Sequence, residues 1–274
     1  MAREPSFTPR AVLRCDGDER SRAEDLVVVE EPLEIRIGDE PLAVTMRTPG
    51  DDLELAAGFC WTEGIVADPD ELESVEACAE AEHENVVRVT LGKAAVLARR
   101  DAIERSRREL YLTSSCGLCG VQSIDRVERN VRPPDGRFRV SAGVLAALPV
   151  RMQEGQGAFA ATGGLHAAAL FTVDGALVVL REDVGRHNAV DKVIGHQLLL
   201  GTLPFDPGIL LVSGRASFEV IQKAAAGGIA LVCAVSAPSS LAIDLARRLD
   251  LTLVGFLRPG RMNVYHDRGR IAGL

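Results

Sequence analysis

Two thiols separated by two residues sit in Thr113-Ser114-Ser115-Cys116-Gly117-Leu118-Cys119-Gly120, each followed by a glycine. Nowhere else does the chain gather reactive side chains so densely, and four chemistries use such a pair. A structural zinc site takes four Cys or His ligands, and this sequence has no second C-x-x-C, so a partner chain would have to complete it. A zinc deaminase takes H-x-E together with P-C-x-x-C; here no His has Glu two residues on, and Ser115 stands where the Pro would be. A thioredoxin-like site places its C-x-x-C near a βαβ pattern, whereas this pair falls between two differently patterned halves. A sulfur carrier needs an accessible thiol of low pKa on a segment able to move. The flanking glycines allow that movement and let backbone amides approach the sulfur.

Two further stretches concentrate polar chemistry. Arg181 to Lys192 packs charges between a strand pattern and a helix pattern, and Asp183, Arg186, His187 and Lys192 are candidates for the wall of a site or for a solvated, capped turn. Ser213-Gly214-Arg215-Ala216-Ser217, Ala237-Pro238-Ser239-Ser240 and Phe256-Leu257-Arg258-Pro259-Gly260-Arg261 each follow an apolar run. Ligands of α/β sheets bind at the carboxyl ends of strands, and helix amides and arginines there hold anions. Three successive ends of this kind predict one phosphate-binding rim.

The elements that must position these residues follow from periodicity. Leu26 to Met46 alternates as antiparallel strands, and Asp51 to Trp61 has a helical period with Asp51 or Asp52 as cap and Gly64 as stop. Val86 to Leu91 is a strand. Val121 to Arg129, Ala142 to Leu148 and Val150 to Ala161 are helix candidates. Ala167 to Val173 and Ala176 to Arg181 form a hairpin turning at Asp174-Gly175. Then come helix 188–200, strand 209–213, helix 218–226, strand 229–235, helix 238–249 and strand 251–256, a rhythm that implies parallel strands with right-handed crossovers. The expected organisation is a frayed, flexible arm over residues 1–25, an α+β lobe over 26–112, the cysteine loop at 113–120 and an α/β domain over 121–274.

The 274 residues allow a sizeable core, built from Ala, Val, Leu and Ile because aromatics are only 4%. A net charge of −8 argues against nucleic-acid binding, which needs clustered Lys and Arg, but leaves room for a local basic pocket. Met1 to Arg14 holds no apolar h-region, and Gly227 to Ala237 is too short to cross a bilayer. The expectation is a soluble cytoplasmic protein without membrane contact, whose six cysteines stay reduced.

The chain resembles the formate dehydrogenase accessory sulfurtransferase (FdhD) family. The resemblance runs through Thr48-Pro49-Gly50-Asp51-Asp52, Thr62-Glu63-Gly64-Ile65, the cysteine loop, Thr162-Gly163-Gly164-Leu165-His166, Arg181 to Lys192, Ser213 to Lys223, Ser236 to Leu241, Phe256 to Arg261 and Asn263-Val264-Tyr265. One departure is Phe59-Cys60-Trp61-Thr62, where the family more often has aliphatic residues and Phe. The resemblance implies a cytidine-deaminase-like, three-layer α/β domain with a mixed sheet, in a homodimer. It implies a carrier that takes sulfane sulfur from a cysteine desulfurase as a persulfide. The sulfur then passes to the molybdenum cofactor in its bis(guanine dinucleotide) form, which serves formate dehydrogenase. Cys116 matches the persulfide-forming cysteine and Cys119 its companion. Phe256, Leu257, Arg258, Pro259, Gly260 and Arg261 match the segment associated with the cofactor, which is bound as cargo, and no metal is held by the protein directly. A cargo-binding chaperone without covalent sulfur transfer is the alternative.

Overall fold

The computed structural model describes residues 6–78, 85–112, 134 and 136–273. The expected helix over 121–129 and the cysteine loop lie outside these residues. Two sheets with separate cores organise the rest. The first has strand order β4-β3-β6-β5, from β3 (Glu31–Ile37), β4 (Glu40–Arg47), β5 (Leu72–Ala77) and β6 (Val86–Leu91). Leu33, Ile35 and Val89 point from one face into a core closed by helix α1 (Asp52–Thr62) and by Ala95 and Ile103 of α2 (Lys93–Ala98) and α3 (Arg100–Leu112).

The second sheet has six strands in the order β13-β12-β11-β10-β8-β9. After a short strand, β7 (Val140–Ser141), outside this sheet, its strands are β8 (His166–Phe171), β9 (Leu177–Asp183), β10 (Ile209–Val212), β11 (Leu231–Ala234), β12 (Thr252–Arg258) and β13 (Arg261–His266). Strands β10, β11 and β12 are parallel, while β8, β9 and β13 join antiparallel, so the sheet is mixed. The central strands are apolar on both faces because both are covered. Ala168, Leu170, Leu210, Val212 and Val232 face helices α6 (Arg186–Leu199), α7 (Phe218–Ala226) and α8 (Ser240–Arg248). Ala169, Phe171, Leu211 and Cys233 face Leu145, Leu148 and Met152 of α4 (Ala142–Gly155). The result is three layers, helices on either side of the sheet. Among the described residues no helix is long and apolar enough to cross a membrane.

The two halves meet along α1 and α6. A Cβ on Gly58 would collide with the Asp191 carbonyl, and one on Gly195 with the Glu54 carbonyl, so both glycines permit backbone-to-backbone contact. Polar stitches run along this seam. Glu54 accepts from Arg181 Nε (2.6 Å) and lies 2.9 Å from His196 Nδ1. Buried Lys223 donates to both oxygens of Asp191 (2.9 Å) and to Thr62 Oγ1 (2.9 Å). Burial alone would lower the Lys223 pKa; the carboxylates of Asp191 and Glu63 more than reverse this. Trp61 Nε1 donates to the Ala226 carbonyl (2.7 Å).

Several elements differ from the sequence expectation. The arm expected over residues 1–25 instead forms a hairpin, β1 (Phe7–Asp16) and β2 (Glu19–Val28), paired from Phe7↔Val28 to Asp16↔Glu19. Its residues are mostly exposed on both faces, so no alternation betrays it. Helix α4 runs through Pro149 rather than stopping before it, and a separate short helix, α5 (Gly157–Thr162), follows. The Asp caps of α1 are not formed: Asp51 is left-handed at φ 58°, no side chain caps the helix, and both Asp52 oxygens bind Arg47 (3.0 and 2.9 Å). Strand β5, helices α2 and α3 and strand β13 stand where the periodicity gave no element.

Candidate functional site: a groove at the carboxyl edge of the mixed sheet

The three predicted strand ends lie side by side. Val235 N donates to the Val212 carbonyl (2.9 Å), Ser239 N to the Ala216 carbonyl (3.0 Å), and Phe256 N to the Ser236 carbonyl (3.1 Å). Their serines have separate tasks. Ser213 Oγ accepts from Ala167 N (2.9 Å), Ser239 Oγ caps α8 by accepting from Ala242 N (3.2 Å), and Ser217 Oγ donates to Glu219 (3.0 Å).

Beside these ends opens a groove of about 640 Å³. Its sheet side carries His166, Ser213, Val235, Arg258 and Pro259; its other wall carries Val150 and Gln153 of α4, Phe159 of α5 and Gln156 between them. An apolar face with a few convergent polar groups is the usual make-up of a small-molecule site. Helix α5 buries none of its own residues. It is held by the Glu182 carboxylate, which accepts from Ala158 N (3.0 Å) and Phe159 N (2.7 Å) at the helix start. A carboxylate there satisfies amides that lack an intrahelical partner.

The segment 256–261 is divided between environments. Leu257 is fully buried in the α4-side core. Arg258 and Pro259 line the groove, where Arg258 Nη1 donates to the carbonyls of Val235 and Leu257. Phe256 has φ 51°, a left-handed backbone rare for an aromatic residue. Gly260, at φ 73°, makes the turn into β13, and Arg261 is exposed on that turn, outside the groove lining. Cys116 and Cys119 lie outside the described residues.

The polar turn 181–192 is likewise split, so its four candidates do not form a single wall. Asp183 and Lys192 are buried and paired at 2.7 Å. Asp183 also accepts from Thr48 N (3.2 Å), Gly185 N (2.7 Å) and Asn188 Nδ2 (2.9 Å), and Lys192 donates to the carbonyls of Thr48 (3.0 Å) and Glu182 (3.4 Å). These two residues fasten the Thr48-Pro49 corner to the second sheet. His187 instead meets Glu219 (3.1 Å) and Ser217 (3.3 Å) at the exit of β10. That hydrogen bond, more than burial opposes it, holds the Glu219 pKa down at about 2.

His166 is a groove residue to which sequence reasoning assigned no role. Burial first, then the charges of Arg186, His187 and Arg215, lower its pKa, so the imidazole is neutral at pH 7. Gln153, Gln156 and Phe159 were also missed. The available signal was the run Thr162-Gly163-Gly164-Leu165-His166, two glycines leading into a strand that begins at a His.

Comparison with known proteins agrees over almost the whole chain. Residues 28–272 match the FdhD/NarQ family. The chain is 51% identical over 274 residues to the "Sulfur carrier protein FdhD" of Streptomyces avermitilis, covering 96% of this chain and 95% of the relative. It is 45% identical over 268 residues to the protein of that name from Mycobacterium tuberculosis, covering 96% and 97%. A crystal structure from Desulfotalea psychrophila, described as a candidate formate dehydrogenase accessory protein, superimposes with TM-score 0.78 at 24% identity, over 97% of this chain and all of that one. At that identity it speaks for the fold alone. The family match spans both sheets and every strand end that lines the groove: this chain belongs to the FdhD/NarQ family.

Proposed function

We propose that the protein is a sulfur carrier for formate dehydrogenase maturation, with Cys116 as the carrier thiol. The observation that carries this reading is near-full-length kinship to proteins named sulfur carrier protein FdhD. In loading, the Cys116 thiolate attacks the outer sulfur of a persulfide on a cysteine desulfurase. One S–S bond forms, the donor's S–S bond breaks, and the donor cysteine leaves as thiolate, with no net oxidation. Cys119 assists from three residues away. The cargo is the molybdenum cofactor with its guanine dinucleotide arms, lying in the groove beside Arg258. The protein works in the cytoplasm as a homodimer, on a cytidine-deaminase-like frame that the three layers and mixed sheet fit.

Incubation with a cysteine desulfurase and cysteine, followed by peptide mass spectrometry, tests the reading. The added sulfur atom is expected on the peptide bearing Cys116, and Cys116→Ala is expected to abolish maturation of formate dehydrogenase. Sulfur found only on other cysteines, or full maturation by C116A, would replace the carrier with a cargo-binding chaperone.

A further inference from the structure

On the edge of the mixed sheet opposite the groove, where β10, β11 and β12 begin, lies a hollow of about 720 Å³. Its lining holds four arginines, Arg137, Arg139, Arg268 and Arg270, against one carboxylate, Asp250. Two short strands fix its walls: β7 pairs in parallel with β14 (Ile271–Ala272), and Val140 N donates to the Arg270 carbonyl (2.8 Å). Arg270, only 4% exposed, forms the floor; its Nε donates to the Gly136 carbonyl (2.8 Å) and its Nη1 to the Asp250 carbonyl (2.7 Å). A Cβ on Gly136 would collide with this guanidinium, so the floor needs glycine there. The wall beside it alternates: Phe138 packs into the α4-side core, while Arg137 and Arg139 are exposed. The carboxylates nearby are turned to structural tasks. Asp267 accepts from Thr252 Oγ1 (2.9 Å), Arg270 N (3.0 Å) and Gly269 N (3.1 Å), and Asp206 accepts from Gly136 N (2.9 Å). Asp250 meets Arg268 in a pair about half exposed on both sides, the kind that contributes little and exchanges readily. Arg139 meets no partner among the described residues.

We propose that this hollow is a docking surface for an acidic segment of a partner protein, whose carboxylates seat on the guanidinium groups of Arg139 and Arg268. Planar guanidinium forks match carboxylates with two parallel hydrogen bonds, which an ammonium cannot do. The Arg270 floor spends its Nε and Nη1 on main-chain carbonyls, so the donors left for a ligand stand chiefly on the exposed rim. They are spread around a hollow far larger than a single oxyanion, and a segment with several separated carboxylates can reach them together. Arginines around a partly buried Phe are also the make-up of protein interfaces. Charge gives the surface its selectivity. The chain carries −8 overall, so an acidic partner is repelled by most of the molecule and drawn to this face. The surface lies on the edge opposite the groove and does not depend on the sulfur-carrier reading.

Fluorescence anisotropy of a fluorescein-labelled oligoglutamate peptide, titrated with the full chain at low salt, is the test. The peptide is expected to bind, and Arg139→Glu and Arg268→Glu are each expected to weaken it at least about tenfold. Arg139→Lys is expected to keep part of the affinity, because it retains the charge without the fork. Arg20→Glu, on the exposed hairpin, is expected to leave the affinity unchanged. Arg139 has no partner to lose, so its variant answers the question even if Arg268→Glu, which gives up the pair with Asp250, fails to fold. Absence of peptide binding, unchanged affinity in both glutamate variants, or an equal loss in Arg20→Glu would overturn the surface. Inorganic pyrophosphate that displaces the peptide at equal concentration would replace it with a small-oxyanion site. A shift of oligomeric state in Arg139→Glu, read by sedimentation, would replace it with a contact between copies of this chain.

Discussion

Asp183 and Lys192 form a pair whose removal would be felt more than that of any surface charge. Both are shut away from water, and each is satisfied by several partners besides the other. Breaking a buried pair from one side leaves an uncompensated charge and costs about 3–5 kcal/mol. Asp183→Ala and Lys192→Met are therefore each expected to lower unfolding free energy by that amount in urea titrations. The double variant is expected to lose clearly less than the sum, and strict additivity would show that the two do not act as a unit. The sequence displayed these charges but not their assignment. Asp183 and His187 are equally polar neighbours in the chain. They part only because a strand end turns one inward under Thr48 and the next helix turns the other toward Glu219, a long-range fact no local pattern contains. The Asp caps fail for a related reason. Arg47, five residues before Asp52 and buried at 1% exposure, claims both oxygens of the expected cap.

At the scale of elements, the seam between α1 and α6 is the most demanding contact. Adding one methyl at Gly58 or Gly195 drives a carbon into a backbone carbonyl of the facing helix, and neither helix can yield locally because each is fixed to its own sheet. Overpacking of this kind costs about 1–3 kcal/mol. Gly195→Ala is expected to lower the thermal midpoint by several degrees; an unchanged midpoint would show that the helices can separate without loss. The strand–helix alternation from β10 to β12 was legible because those strands are buried on both faces and their helices have one apolar stripe. Hairpin β1–β2 was not, since strands exposed on both sides carry no hydrophobic period. Strand β5 was missed for a similar reason: among the described residues it pairs only with β6, and its sequence Leu-Glu-Ser-Val-Glu-Ala is half polar. Helix α4 misled because Pro149 reads as a stop, while the tertiary packing of Leu145, Leu148 and Met152 on the sheet carries the helix past it.

The molecule as a whole is acidic, and most of its held carboxylates favour the fold at neutral pH; Asp191, whose pKa burial raises, acts in the opposite direction. Glu219 lies at about 2, and Glu54 and Glu71 also lie below the ordinary carboxylate range. For the last two, burial alone would raise the pKa, and hydrogen bonds from Arg181 and His196, or from Arg99 and Ala67, reverse it. A carboxylate depressed in the folded state contributes stability above its unfolded pKa, and that contribution is lost as pH falls toward the folded value. His166, held neutral, acts in the same direction from pH 6.5 downward, since the unfolded chain takes up the proton more readily. Stability is thus expected to decline from neutral pH to about pH 4.5 slightly, and steeply between about 4.5 and 2. Glu219→Gln is expected to cost stability at pH 7 and progressively less below pH 4. A cost that stays constant across that range would contradict the depressed pKa.

The adjoining residues Glu182 and Asp183 do two jobs with one stretch of backbone. The Glu182 carboxylate grips the start of α5, which forms the outer wall of the groove, while the Glu182 carbonyl and the Asp183 carboxylate grip Lys192, and through it Thr48 at the corner of the first sheet. Mechanically this dipeptide is a crankpin. The Phe159 wall of the groove and the Thr48 corner of the other sheet are thus anchored to the same two residues.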